Sequence, residues 1–149
     1  MPAKAVEVKA IFEINTYTAT VNVKIDGSAA AAPGTVELKQ SGDTKATLTG
    51  SSGVYTASVT NGTYSVFVNS EYTEKTIKID GAAASADIDY YTVSFSATNS
   101  GAASGSTAEA TAGGTSISSG ATVLKGKAVV LTATGAGIGE ATSSSYTYA

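Results

Sequence analysis

From residue 5 onward, apolar side chains recur at nearly every second position. In AVEVKAIFEI, Val6, Val8, Ala10, Phe12 and Ile14 fall on one face and Glu7, Lys9 and Glu13 on the other, with Ile11 out of step. Such period-two alternation predicts a β-strand. After Asn15 it resumes, with Tyr17, Ala19, Val21, Val23 and Ile25 on one side and Thr16, Thr18, Thr20, Asn22 and Lys24 on the other, until Asp26-Gly27 ends it. Further short runs follow between turn residues: Thr35 to Gln40 with Val36 and Leu38 inward, Lys45 to Thr49, Val54 to Thr60, Thr63 to Asn69 with Tyr64, Val66 and Val68 inward, Thr73 to Ile79, and Ala84 to Asp89. Asn61-Gly62 between two alternating runs predicts a two-residue hairpin, because a type I′ turn needs positive φ at both central residues. Seven strands at this spacing over residues 16–89 predict a β-sandwich.

A second unit is expected over residues 90–149. Tyr91, Val93 and Phe95 alternate, Thr107 to Ala112 and Thr115 to Ser118 flank Gly113-Gly114, Ala128 to Thr134 forms a more apolar run, and Ser144 to Ala149 starts another with Tyr146 and Tyr148 on one face. So few large apolar side chains make a thin core, which predicts an incomplete unit or one that leans on its neighbour. An internal echo links Phe12 to Thr18 with Ala86 to Thr92: an acidic residue, Ile, a polar residue, then an aromatic and Thr. Tandem β-modules show such repeated junctions. The expected architecture is therefore all-β and tandem, with residues 1–15 a leading strand from the end of a preceding repeat.

Composition narrows the chemistry. The 149 residues include 26 Ala, 22 Thr and 19 Ser, with no Cys, His, Trp or Arg. Without Cys or His there is no disulfide, no thiol nucleophile, no Cys/His zinc site and no Ser-His-Asp triad. The net charge of −3, with all nine basic residues Lys, supplies no clustered positive field for nucleic acid. Low charge and ordered alternation argue against disorder. Residues 1–10 lack the pattern of a signal peptide, which suggests a piece of a longer chain, and no stretch is long and apolar enough to insert into a membrane. Cys-free, Thr/Ser/Ala-rich β sequence is the composition expected of an exported protein on the bacterial cell surface.

Residues 16–89, with VNVKIDG, PGTVELKQSG, SSGVYTASVTNGTYSVFVN and TIKIDGAAASADI, resemble the carboxypeptidase-regulatory-like (prealbumin-like) domains. That resemblance implies a seven-stranded Greek-key sandwich serving as spacer or binding module. Residues 90–149, with YYTVSFSATNSG and SGATVLKGKAVVLTATGAG, resemble part of a bacterial immunoglobulin-like or internalin-type surface repeat, and residues 6–14 look like the last strand of such a repeat.

Candidate chemistry is sparse. Gly135, Gly137 and Gly139 follow an apolar strand, but the third Gly or Ala of a dinucleotide fingerprint should stand where Glu140 is, and no helix follows. Asp26, Asp43, Asp80, Asp87 and Asp89 are of the type that binds calcium, yet Asp in such contexts more often makes turns. Lys24, Glu37 and Asn69 supply the residue types of a Lys-Asn isopeptide bond, but an exposed Lys is the ordinary case. No catalytic residue, cofactor or metal site is expected. A paired-carboxylate glycosidase would need a buried acidic pair, and none is evident.

The expected function is a non-catalytic structural spacer whose partners are the neighbouring β-domains of its parent protein. A glycan- or host-protein-binding role is the first alternative. Tyr90 and Tyr91 point to opposite faces of one strand, so one ring must lie outside any single core and is a candidate ligand contact. Self-assembly is the second: Val6, Val8, Ala10 and Phe12 are expected to add as a strand to residues 90–149 of the same chain or of a neighbour.

Overall fold

The structure, a computed structural model, describes residues 9–97, 107–134 and 143–146, the last of these for the backbone alone. All of its regular elements are strands: β1 Tyr17–Ile25, β2 Ser28–Ala29, β3 Val36–Gln40, β4 Asp43–Ser51, β5 Val54–Val59, β6 Gly62–Val68, β7 Glu71–Ile79, β8 Ala84–Val93, β9 Thr107–Ala112, β10 Thr115–Ile117, β11 Ala121–Leu124, β12 Val129–Thr134 and β13 Ser143–Tyr146. The fold is all-β. Among the described residues nine strands form one sheet in the order β11-β8-β1-β5-β4-β3-β6-β7, with β2 on β1. A second sheet has the order β10-β9-β12-β13.

Every run expected in residues 16–89 is a strand, and the predicted faces hold. Ala19, Val21, Val23, Val36, Leu38, Tyr64, Val66 and Val68 are all buried, joined by Leu48, Val59, Ile77, Ile79, Ile88 and Tyr90. Strand β4 bends the sheet around this core: Asp43 to Leu48 pair with β3, whereas Thr49 to Ser51 pair with β5. The far edge, β7, packs alongside β8, so the sheet nearly closes as a barrel.

The turns explain the register. Asp26-Gly27, Ser41-Gly42, Ser52-Gly53, Asn69-Ser70 and Gly113-Gly114 each have positive φ at both residues and separate paired strands. That is the type I′ geometry whose twist matches the strands it joins.

Asn61-Gly62, the turn singled out from sequence, is not a hairpin. Strand β5 pairs with β1 and β4, and β6 with β3 and β7. The dipeptide therefore carries the chain across the core from one part of the sheet to another. Asn61 is absent from the positive-φ residues, and its Oδ1 accepts a hydrogen bond from the Gly81 N–H at 2.9 Å. The buried Tyr64 pins the corner, its hydroxyl donating to the Thr60 carbonyl at 2.9 Å.

Two further features differ in detail from the alternation read in the sequence. Residues 9–16 form no strand, and Ile11, Phe12 and Ile14 are 81%, 89% and 78% exposed. The alternation is present, but among the described residues no strand lies alongside to complete its ladder. The boundary expected between residues 89 and 90 falls inside β8, which continues to Val93 and pairs there with β11. Strand β11 was not anticipated, because the five residues between Gly120 and Gly126 are too few to show a period.

The β8–β11 ribbon contributes side chains to two cores. Tyr90 and Leu124, a register pair, point into the barrel core. Val123 points the other way, into a small cluster with Ala112 and Val129, against which Val93, Ile117 and Leu131 also pack. The two cores thus share one wall.

Candidate functional site

On the small-sheet side of this wall lies a cleft of about 530 Å³. Tyr91, Val93, Val123, Val129 and Leu131 form its apolar lining, with Asp26 and Lys125 among its polar groups. Asp26 arrives from the β1–β2 turn, where its φ is 52°. Its Oδ1 accepts from the Thr92 N–H at 3.0 Å and its Oδ2 from the Thr92 hydroxyl at 2.7 Å. These two bonds, the backbone one first, hold the Asp26 carboxyl below its ordinary pKa. The Asp26 N–H also donates to the Tyr90 carbonyl at 3.0 Å. The first turn of the barrel is therefore clamped onto β8 at the mouth of the cleft.

The candidate tyrosines separate as the strand geometry requires. Tyr90 is buried at 4% exposure, and burial, followed by the negative charge of Glu71, pushes its hydroxyl up to about 12. Tyr90 is therefore chiefly a core residue. Tyr91 is 37% exposed and lines the cleft. Of the strand-addition candidates, Val6 and Val8 lie outside the described residues, while Ala10 and Phe12 are exposed in the unpaired segment. Tyr148 and Gly135 to Gly139 also lie outside the described residues, as does the side chain of Tyr146.

The carboxylates considered for calcium do not converge. Asp43 pairs with Lys45 at 3.2 Å, Asp80 with Lys78 at 3.1 Å, and Asp26 is held by Thr92. Asp87 accepts from Lys24 Nζ at 2.8 Å and from Asn22 Nδ2 at 2.8 Å. This cluster lowers the Asp87 pKa, first through Lys24, and raises that of Lys24. The three isopeptide candidates also lie apart: Lys24 is taken by Asp87, Glu37 pairs with Lys39 at 3.4 Å, and Asn69 lies in the β6–β7 turn against Gly34. An amide bond from Lys needs a neutral amine close to the Asn side chain, and an ion-paired Lys24 is the opposite arrangement.

A second candidate surface was missed from sequence. On the outer face of β6 and β7, the Phe67 and Tyr72 rings lie 5.4 Å apart with an interplanar angle of 38°. Lys39 Nζ sits 4.6 Å from the Phe67 ring centroid, and Glu37 holds the same ammonium. The signal was legible: with Tyr64, Val66 and Val68 inward, Phe67 had to face outward. An outward aromatic on a half-buried sheet is unusual enough to mark.

No family model matches the chain, and no curated protein does. Among solved structures, the chain is similar to a DUF3823 family protein from Bacteroides ovatus at 15% identity and a TM-score of 0.38, over 91% of this chain and 99% of that one. It is also similar to a DUF3823 family protein from Parabacteroides merdae at 14% identity and a TM-score of 0.40, over 83% of this chain and 60% of that one.

Proposed function

We propose that this chain is a non-catalytic structural module of an exported bacterial surface protein, holding what it is attached to at a fixed orientation. The observation that carries this reading is the β8–β11 ribbon. A hinge between two β-units normally runs through a linker with few crossing contacts. Here Lys125 N–H donates to the Asp89 carbonyl at 2.9 Å and Gly120 N–H to the Val93 carbonyl at 2.8 Å, at either end of the β11 ladder. An ion pair between Lys127 and Glu71 adds a side-chain tie from the β11–β12 connection to the start of β7. Swinging one sheet relative to the other would break a ladder and open two cores. The finer reading, a prealbumin-like module followed by part of an immunoglobulin-like repeat, belongs to the same proposal and rests on the sequence motifs quoted above. The surface location rests on composition.

Spin labels on cysteines introduced at Thr76 and Ser116, both exposed, test the reading directly. A single narrow distance distribution is expected. A broad or two-peaked distribution would refute a fixed module, and turnover of any substrate by the purified chain would refute a non-catalytic one.

A second reading, a glycan-binding module, is favoured by the Phe67–Tyr72 pair with Lys39 and Glu37 beside it, since sugars stack on aromatic faces and bond to adjacent charged groups. Binding on a glycan array that is lost in Tyr72→Ala would support this surface, and loss in Tyr91→Ala would move the site to the cleft. A flat array at high protein concentration would count against both.

A further inference from the structure

We propose that the cleft beside Tyr91 receives residues 10–14 of a second copy of this chain, so that copies join head to tail. Ile11, Phe12 and Ile14 are the most exposed of the large apolar side chains among the described residues. They sit on a segment that alternates like a strand but pairs with none among the described residues. In extended form Phe12 and Ile14 share one face, two residues apart. The cleft offers apolar partners from two sides: Tyr91, Val93 and Val123 of the ribbon, and Val129 and Leu131 of β12. The segment carries one charge of each sign, Lys9 and Glu13, and the cleft likewise carries Asp26 and Lys125 near its rim. Lys125 forms no ion pair among the described residues.

Geometry identifies the occupant as another copy. The segment precedes Tyr17, whereas the cleft lies at the Ile25 end of β1, where Asp26 clamps Thr92. The eight steps from Tyr17 to Ile25 span about 26 Å at roughly 3.3 Å each. Phe12 is five residues before Tyr17 and reaches at most about 18 Å from it. Ile14 reaches less. Neither side chain arrives at its own cleft. Donor and acceptor at opposite ends of one barrel make a heterologous contact, and repeating it without closure builds a filament. Addition of an extended segment to an open sheet structure is an established recognition mode.

The absence of cysteine makes the test clean. Phe12→Cys and Leu131→Cys are prepared separately, mixed in equal amounts and oxidised, with Lys125→Cys as a rim substitute should Leu131→Cys fail to fold. The expected result is a heterodimer well above the half share that random pairing gives, and a ladder of linked chains from the double variant. Sedimentation of the unaltered chain should show growth with concentration, and Phe12→Glu should stay monomeric at an unchanged melting temperature. Random pairing, a double variant that closes on itself, or a monomer at every concentration would each overturn the proposal.

Discussion

Among the described residues Thr73 is the buried polar side chain, and its place follows from a bulge. Between the Ser65–Thr76 and Phe67–Tyr72 register pairs, three residues of β7 oppose the single Val66 of β6, with Glu74 at a φ of 61°. Opposite the bulge the Thr73 hydroxyl donates to the Val66 carbonyl at 2.9 Å. Thr73→Val keeps the shape and strands that carbonyl, so we expect a loss of about 1–3 kcal/mol in urea unfolding. The Lys24–Asp87 pair is a different case, since both groups are exposed and their effect is visible in pH dependence. Asp87 is lowered in the fold, so its contribution is present above the ordinary carboxyl pKa of 3.8 and is lost as pH falls through the lowered value. Lys24 is raised, so its contribution is present below 10.5 and is lost as pH rises through the raised value. The melting temperatures of the natural chain and Lys24→Met should differ at neutral pH and converge at strongly acidic pH. A gap that stays constant into acid would remove the pair as its cause.

The strands were legible because each has one wet face and one dry face, which writes a period of two into the residues. Tyr17 to Ile25 and Gly62 to Val68 show this with hardly an exception. What sits between strands was harder to read. The alternation specifies which side chains turn inward but not which strand lies beside which, and so Asn61-Gly62 reads as a hairpin although its flanking strands never pair. The working hairpins include Ser52-Gly53 and Asn69-Ser70, where the same backbone geometry is met by less diagnostic residues. The cleft was half legible, since Tyr91 follows from alternation while β11 and Leu131 come to it through tertiary packing alone. Turn chemistry also separates two glycines of similar conformation. Gly42 has a φ of 89° with open space where a Cβ would stand, whereas at Gly53, φ 88°, a Cβ would meet the Val23 carbonyl oxygen at 2.7 Å and the Ala30 nitrogen at 2.8 Å. Gly42→Ala should cost about 1 kcal/mol, the strain of the left-handed region. Gly53→Ala adds a clash with backbone already bonded, Val23 N–H to Gly53 carbonyl at 2.7 Å, and should cost about 3 kcal/mol or more. Equal melting temperatures for the two variants would refute the distinction.

At the level of the whole molecule, the shared wall determines how the chain loses its structure. Two modules on a linker unfold separately, and damage to one core leaves the melting of the other in place. Here adjacent residues of β11 serve different cores, Leu124 the barrel and Val123 the small cluster. The strand that holds them also completes the ladder of β8 from Tyr90 to Val93. Among the described residues the small cluster buries Ala112, Val123 and Val129, too little apolar surface to hold a sheet by itself. It depends on the barrel for its floor. The barrel in turn depends on β11 to cover Tyr90 and to seat Leu124. We therefore expect calorimetry to record one transition whose calorimetric and van't Hoff enthalpies agree. Leu124→Ala, which empties a core site, should lower stability by about 2–4 kcal/mol, and Val123→Ala should lower it by a smaller amount. Both substitutions should move the same single transition. Splitting into two peaks, with Val123→Ala shifting only the lower one, would show that the wall does not couple the sheets, and a module without that coupling could not hold its attachments at a fixed angle.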